Sequence, residues 1–172
     1  MISAANQLET TGMRGQFDLD FAPFRGCRGV ADHFERVYST LTVAGVTQLY
    51  PGFDAWFATK VIPGLRSGER RIITCFMRET LAGVAICKRT ESEAKLCTLW
   101  VAPEARGRGA ATELAKEAFA WLGNVKPLFT VPDERLPEFQ PLLRAWSFSD
   151  HVEASGMYRP GRIEHVFNSG RH

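Results

Sequence analysis

A short run of small and basic residues near the middle of the chain has the composition of a phosphate-binding loop. It reads Arg106-Gly107-Arg108-Gly109-Ala110-Ala111-Thr112 and follows a predicted strand that ends at Val101. The first backbone amides of a helix have no partner inside the helix, and the helix dipole adds partial positive charge there. Glycine and alanine let a pyrophosphate approach those amides closely, and the two arginines add charge. We therefore predict phosphate binding where this strand passes into the next helix.

Two other phosphate loops do not fit this run. A P-loop needs a Gly-Lys pair, and neither Gly107 nor Gly109 precedes a lysine. The dinucleotide fingerprint needs a third glycine where Thr112 stands, and its strand would have to open a βαβ unit. A plain turn with solvated arginines stays open as the alternative.

The elements that must position this loop follow from hydrophobic periodicity. The predicted strands span residues 16–21, 70–77, 81–88, 95–101, 128–131, 152–158 and 163–167, and the predicted helices span 29–41, 53–61, 108–122 and 136–146. Residues 1–15 are polar and small and predict a flexible leader, so a single domain is expected over 16–172. The order β-αα-βββ-α-β-α-ββ predicts an α/β (α+β mixed-sheet) domain with helices on both faces of one sheet.

The motif and its setting resemble the GNAT superfamily of N-acetyltransferases. In that family Gln/Arg-x-x-Gly-x-Gly/Ala follows a strand that ends in Val-x-Pro; here Arg106 to Ala111 follows Val101-Ala102-Pro103. The inferred element order from Gln16 to Phe167 also matches the family. The resemblance implies a GNAT-like acyl-CoA N-acyltransferase fold, with a mostly antiparallel central sheet of about seven strands, and an acetyl-CoA-dependent enzyme.

The resemblance also implies where acetyl-CoA would lie. Its pyrophosphate would rest on the amides of residues 106–111, with a hydroxyl contact from Thr112. The strand carrying Leu99, Trp100 and Val101 would bind the pantetheine arm and the thioester carbonyl, and it would splay from strand 128–131. An amine acceptor would enter from the other side and attack directly in a ternary complex, without a metal.

Direct transfer needs a group that takes the proton of the amine and a group that protonates the leaving thiolate. Many relatives place a tyrosine in the helix after the fifth strand, but Leu143 stands at that position here, so the usual acid is missing. Tyr158, expected on strand 152–158, is the candidate acid. Asp133 and Glu134 are candidates to orient water or polarise the acceptor, although carboxylates also favour a helix N-terminus for its dipole. A well-placed water is the alternative base.

The acceptor side is expected near Tyr50 and Trp56, accompanied by other apolar side chains that are equally compatible with a core: Phe53, Phe57 and Met157. His151 and His165 are expected at the surface, with a proton relay near neutral pH as the alternative role for either. Glu91 and Glu93 are expected in a solvated turn, with the acceptor side within their reach as the alternative.

Composition limits the classes of protein that fit. The chain has 172 residues and 45% apolar content, which suits one globular domain, and no apolar run approaches the roughly 20 residues that a bilayer helix needs. The four cysteines, Cys27, Cys75, Cys87 and Cys97, form no C-x-x-C pair and predict reduced, buried thiols rather than a zinc site. Together with the absence of a secretion signal, this predicts a cytoplasmic protein without membrane contact. Residues 61–130 carry 11 Lys and Arg against 7 Asp and Glu, too small an excess for a dedicated nucleic-acid binder.

The resulting hypothesis is an N-acetyltransferase that acetylates a primary amine of a small molecule, a protein or an aminoacyl-tRNA. Two alternatives stay open: a non-catalytic acyl-CoA-binding regulatory module, which the missing tyrosine supports, and a toxin-like acetyltransferase acting on aminoacyl-tRNA, which the small size and central basic excess support. The acceptor, the acyl-chain preference and the oligomeric state, including a homodimer, stay open.

Overall fold

A computed structural model describes residues 19–21 and 29–170 of the chain. The elements in chain order are β1 (Leu19–Asp20), α1 (Val30–Val43), α2 (Val46–Leu49), α3 (Phe53–Trp56), a π-helical turn (Phe57–Val61), α4 (Ile62–Ser67), β2 (Arg70–Met77), β3 (Thr80–Arg89), β4 (Ala94–Val101), a 3₁₀ turn (Pro103–Ala105), α5 (Ala110–Leu122), β5 (Leu128–Pro132), a 3₁₀ turn (Asp133–Arg135), α6 (Leu136–Ala145), β6 (His151–Ser155) and β7 (Ile163–Phe167).

The seven strands form one mixed sheet in the order β1-β2-β3-β4-β5-β7-β6. Every neighbouring pair is antiparallel except β4 and β5, which run parallel because α5 connects them as a crossover. The predicted fold class, a mostly antiparallel sheet of about seven strands, is confirmed. The crossover matters for function, since it places the glycine-rich loop at the end of the only parallel pair among the described strands.

Helices cover both faces of the sheet, as predicted. On one face α5 packs through Leu114 and Ala118 against the strands. On the other face α1 and α3 contribute Val37, Leu41 and Phe53 to a second apolar cluster. Strand β3 is buried from Leu81 to Cys87 because both clusters use it, which explains its nearly continuous apolar sequence.

Most predicted boundaries agree with the structure within two residues, and strand β2 agrees at both ends. The helix predicted at 53–61 continues instead through the π-helical turn to Ser67, because Pro63 lies in the first turn of α4, where proline is tolerated. Helix α2 has no counterpart among the predicted elements. Of the strand predicted at 16–21 the structure describes Leu19–Phe21, and residues 16–18, the predicted leader and Cys27 lie outside the described residues.

None of the helices in the described ranges is both long and apolar enough to cross a membrane.

Candidate functional site

Strands β4 and β5 pair over only two residues and then separate. The paired positions are Lys95 with Leu128 and Leu96 with Phe129. Beyond them β4 runs on from Cys97 to Val101 while β5 turns toward β7, so the facing edge of β4 lacks a ladder partner there. We call this opening the fork. Its unpaired backbone groups are available to a ligand, because buried main-chain donors and acceptors need partners.

A cavity of about 1210 Å³ runs through the fork. Of the residues predicted to bind the cofactor or the acceptor or to transfer a proton, the cavity is lined by Leu99, Trp100, Val101, Arg106, Gly107, Gly109, Ala110, Ala111, Thr112, Tyr50, Trp56 and Tyr158. Arg108, Asp133 and Glu134 do not line it. The tertiary structure thus brings the glycine-rich loop and the aromatic residues of the early helices into one continuous space.

The glycine-rich loop ends in a helix start that is open to this space. Gly107 and Gly109 have φ values of +69° and +84°, a conformation that favours glycine, and a Cβ built on either would meet no atom within 4 Å. The helix begins at Ala110 rather than at the predicted Arg108, because Gly109 takes the left-handed cap position. Glu113 N donates to Gly109 O at 3.0 Å, so the amides before it start the helix without partners inside it.

The two loop arginines differ in their placement. Arg106 lines the cavity, its Nη1 lies 3.4 Å from Glu138 Oε2, and its Nε donates to Val101 O. Arg108 instead donates from Nε to Glu104 O at 3.0 Å. Only Arg106 therefore adds its charge directly to the cavity wall.

Aromatic side chains form the opposite end of the cavity. Tyr50 and Tyr158 meet edge to face with ring centroids 5.0 Å apart, and burial raises the pKa of Tyr50 above its usual range. Trp56 and Phe53 also line the cavity, whereas Phe57 is buried in the core beneath them. Phe53 is also buried in the second apolar cluster, so it serves as both pocket wall and core, whereas Phe57 belongs to the core alone.

Tyr158 does not lie on a strand as predicted. Strand β6 ends at Ser155 because Gly156, with φ of +73°, starts a turn that carries Tyr158 to the cavity. There its hydroxyl lies 3.3 Å from Lys95 Nζ, and the residue is 38% exposed. Leu143, at the position of the family tyrosine, is buried in the core.

The two candidate carboxylates after β5 each hold a basic partner. Asp133 Oδ1 lies 3.0 Å from Nε2 of His165, which is 4% exposed and therefore not a surface residue as predicted. Glu134 Oε1 lies 2.6 Å from Nη2 of Arg159. A hydrogen bond to its own backbone and, after it, this contact with Arg159 lower the pKa of Glu134. His151 is exposed, as predicted.

Sequence reasoning missed a basic cluster inside the cavity. Arg70, Lys88 and Lys95 all line it, together with Glu93 and Cys97. Glu93 is half-buried rather than fully solvated, and it lines the cavity as the alternative expectation had it. Its Oε2 lies 2.5 Å from Lys88 Nζ, and although burial acts to raise its pKa, the neighbouring cations lower it overall. The signal that could have revealed the cluster is the pairing register of three strands, which the sequence does not display.

Two of the described cysteines, Cys75 and Cys87, are buried in the core as predicted. Cys97 is a free thiol as predicted, but it is half-buried and lines the cavity at the fork instead of lying in the core. Burial of its sulfur still raises the pKa of the thiol. Arg70 Nη1 donates to Cys97 Sγ at 3.4 Å. In the described part of the chain no three His, Cys, Asp or Glu side chains gather as a metal site requires.

A buried carboxylate on β7 was also missed. Glu164 is 2% exposed, and neither of its oxygens has a hydrogen-bond partner. Burial raises the pKa of Glu164 to about 7, although the charge of Arg159 acts in the opposite direction. Its strand partner is Pro132, which lines the cavity, so Glu164 lies on the same face of the sheet just beyond the cavity wall.

Comparison with known proteins agrees with this geometry. The sequence model described as "Acetyltransferase (GNAT) family" matches residues 34–134. No curated protein sequence matches the chain.

Solved structures share the fold at low sequence identity. A protein assigned as a GNAT-family acetyltransferase from Desulfovibrio desulfuricans is 14% identical, with a TM-score of 0.60 over 87% of this chain and 96% of that one. An aminoglycoside 6′-N-acetyltransferase complexed with coenzyme A is 9% identical, with a TM-score of 0.59 over 87% and 94%. An acetyltransferase from Thermus thermophilus is 21% identical, with a TM-score of 0.50 over 87% and 96%.

Proposed function

The chain belongs to the acetyltransferase (GNAT) family and is an N-acetyltransferase, and from this premise we propose that it transfers the acetyl group of acetyl-CoA directly to a primary amine in a ternary complex. The observation that carries the proposal is the fork between β4 and β5, which opens beside the free amides at the start of α5. A single cavity joins these amides to the aromatic end, so two substrates have room to meet at the fork.

The loop fits the phosphates of coenzyme A. The space above Gly107 and Gly109 is open, and the helix amides that follow point toward it without intrahelical partners. Arg106 supplies a cation at the cavity wall, and the Thr112 hydroxyl and the small side chains of Ala110 and Ala111 complete the cradle. A solved relative of the same fold is complexed with coenzyme A, which supports this assignment.

Bound acetyl-CoA would supply an activated acetyl group as a thioester. The free edge of β4 at Leu99, Trp100 and Val101 is the surface of this chain that would hold the pantetheine arm, because its backbone groups have no partner from β5. A backbone amide on this edge would polarise the thioester carbonyl, since fixed donors stabilise the oxyanion that develops there. The protein would thus act mainly by orientation and polarisation.

The groups that would transfer protons lie at the aromatic end of the cavity. Tyr158 would protonate the leaving thiolate, and a water would take the proton of the amine. Glu134 would act indirectly, because its ion pair with Arg159 fixes the turn in which Tyr158 lies. Asp133 would in the same way hold His165 behind β5.

Thermal unfolding with acetyl-CoA, free CoA and ATP tests the cofactor. At about 100 times the dissociation constant, binding adds roughly 2.7 kcal/mol, which raises Tm by about 5 to 11 °C for a chain of this size. We expect this rise with both CoA species and none with ATP. Absence of any rise would contradict the proposal.

A pair of glycine variants assigns the binding to the loop. In Gly109→Val the new side chain would fill the open space over the helix amides and abolish the rise in Tm. Gly123→Val is the matched control, because Gly123 caps the other end of α5 with φ of +66° and open surroundings. Both variants place a valine at a positive φ and carry strain of the same kind, so a lost response to CoA in Gly109→Val alone reports a blocked site. An equal response to CoA in the two variants would contradict the loop assignment.

A further inference from the structure

Three cations lie side by side across the sheet at the aromatic end of the cavity. The register pairs Arg70 of β2 with Lys88 of β3, and Lys88 with Lys95 of β4. Directly paired residues of antiparallel strands project from the same face, and all three line the cavity. We call Arg70, Lys88 and Lys95 the basic row.

The fold alone does not account for the basic row. Like charges directly opposite one another destabilise a sheet. Glu93 neutralises Lys88, but within the described residues neither Arg70 nor Lys95 forms an ion pair. The guanidinium of Arg70 instead lies 5.4 Å from the ring centroid of Trp56, and Lys95 contacts the Tyr158 hydroxyl. Glu93 also interacts electrostatically with Arg70 and Lys95, but one carboxylate balances only one of the three cations, so the basic row keeps a net positive charge that faces the cavity.

The basic row lies far from the loop assigned to the phosphates of coenzyme A. Lys95 is near the start of β4 and Val101 is at its end, six residues or about 20 Å away at the rise of a strand. The loop at residues 106–112 begins beyond Val101. An anion bound at the basic row would therefore belong to the acceptor and not to the phosphates held by the loop.

The basic row is also close to the fork. Lys95 precedes Cys97 by two residues, about 7 Å along the strand, and the guanidinium of Arg70 reaches the Cys97 thiol. An anionic group bound between Arg70 and Lys95 would therefore lie about 7 Å from an amine placed at the fork.

We propose that the basic row binds an anionic group of the acceptor, so that the substrate is a primary amine carrying a carboxylate or a phosphate within about 7 Å of its nitrogen. This inference rests on the proposed function, since it places the reacting amine at the fork. It disfavours polycationic acceptors, because the net positive charge of the basic row would repel them.

The first test measures anion binding without turnover. The protein is saturated with CoA, and inorganic phosphate or succinate is titrated while Tm and tryptophan fluorescence are recorded. We expect a saturable response, weakened at least tenfold in apparent affinity by Arg70→Gln and by Lys95→Gln. Lys60→Gln and Arg66→Gln are the controls, because both residues are exposed cations outside the cavity lining.

The second test compares acceptors in matched pairs. Glycine is compared with glycinamide, β-alanine with its amide and phosphoethanolamine with ethanolamine, with spermidine as a polycation. We expect the acid-bearing member to have at least tenfold higher kcat/KM, and Lys95→Glu to reverse the preference through KM.

The outcomes separate this inference from the proposed function. Failure of CoA itself to raise Tm contradicts the proposed function. No anion response in a protein that does bind CoA contradicts only the basic-row inference, and so does an anion response that CoA abolishes, because the anion would then occupy the phosphate loop. The basic-row inference is also overturned if the acid-bearing amine and its neutral analogue have equal kcat/KM, or if spermidine has the highest kcat/KM.

Discussion

The three tyrosines of the chain show how position decides what a side chain can do. Tyr38 lies outside the cavity lining, and its hydroxyl donates to Asp54 Oδ1 at 3.0 Å. Tyr50 and Tyr158 both line the cavity, but Tyr158 is the one in contact with Lys95 at the closed end of the fork. Of the three, Tyr158 is the one that lines the cavity, is partly exposed and contacts a cation, and this placement is why we propose it as the proton donor to the leaving thiolate.

Replacing Tyr158 by phenylalanine tests this role. We expect kcat to fall about 100-fold or more, because a positioned acid contributes that much, while the affinity for acetyl-CoA is unchanged. The rate is measured with whichever of the amines named above, from glycine to spermidine, reacts fastest. Tyr38→Phe removes a hydroxyl outside the cavity and should retain the rate; equal rates for Tyr158→Phe and Tyr38→Phe would remove Tyr158 as the acid.

Strand β3 lies between the two layers of helices, and at Gly83 a side chain of α5 packs directly against it. A Cβ built on Gly83 would lie 2.8 Å from Leu114 Cδ1, 2.9 Å from Cys75 Sγ and 3.2 Å from Trp100 O. Only glycine therefore lets α5 pack this closely, and the position of α5 in turn sets the position of the glycine-rich loop.

We expect Gly83→Val to lower the free energy of unfolding by about 1 to 3 kcal/mol, since overpacking forces neighbours in a dense core to move. Chemical denaturation measures the change. Gly170→Val is the control, because nothing lies within 4 Å of a Cβ built there and the residue is exposed. The packing argument fails if both variants are as stable as the parent chain.

The stability of the whole molecule should depend on pH through Glu164. Its pKa of about 7 lies above the ordinary value of 4.5, so the native state binds more protons than the unfolded state between these two pH values. Stability contributed by the protonated form is present below about pH 4.5 and is lost as the pH rises through 7. The loss is on the order of 3 kcal/mol, because a tenfold difference in proton affinity between the native and unfolded states corresponds to about 1.4 kcal/mol.

We therefore expect Glu164→Gln to be more stable than the parent chain above pH 7, with the difference shrinking toward pH 4.5. Denaturation at a series of pH values measures this. Glu153→Gln is the control, because Glu153 lies exposed on the neighbouring strand β6. If the difference in free energy of unfolding between Glu164→Gln and the parent chain stays constant from pH 4.5 to above pH 7, protonation of Glu164 is not linked to stability.

Most elements of the fold are predictable from patterns among residues that are neighbours in the sequence. The alternation and apolar runs at Arg70–Met77 and Ala94–Val101, and the helical spacing that ends at Gly123, depend on neighbours in sequence and predict these elements within two residues. Turn geometry is less predictable: the residues before Tyr158 are compatible with a strand that includes it, whereas the left-handed Gly156 ends β6 earlier. The surface position predicted for His165 is wrong because the sequence does not show that Asp133 and the sheet enclose it.

The family motif, the loop over residues 106–112 and the order of the main elements around it follow from the amino-acid sequence alone, because small residues at a helix start and hydrophobic periodicity are local properties. Three features come instead from long-range packing: β4 and β5 separate after Leu96 and Phe129, Arg70, Lys88 and Lys95 form a row, and Glu164 is buried beside the cavity. These features depend on strand register and on which face a residue shares with distant neighbours. A shift of one residue in register would send the same side chains to the opposite face, so a linear sequence does not reveal them.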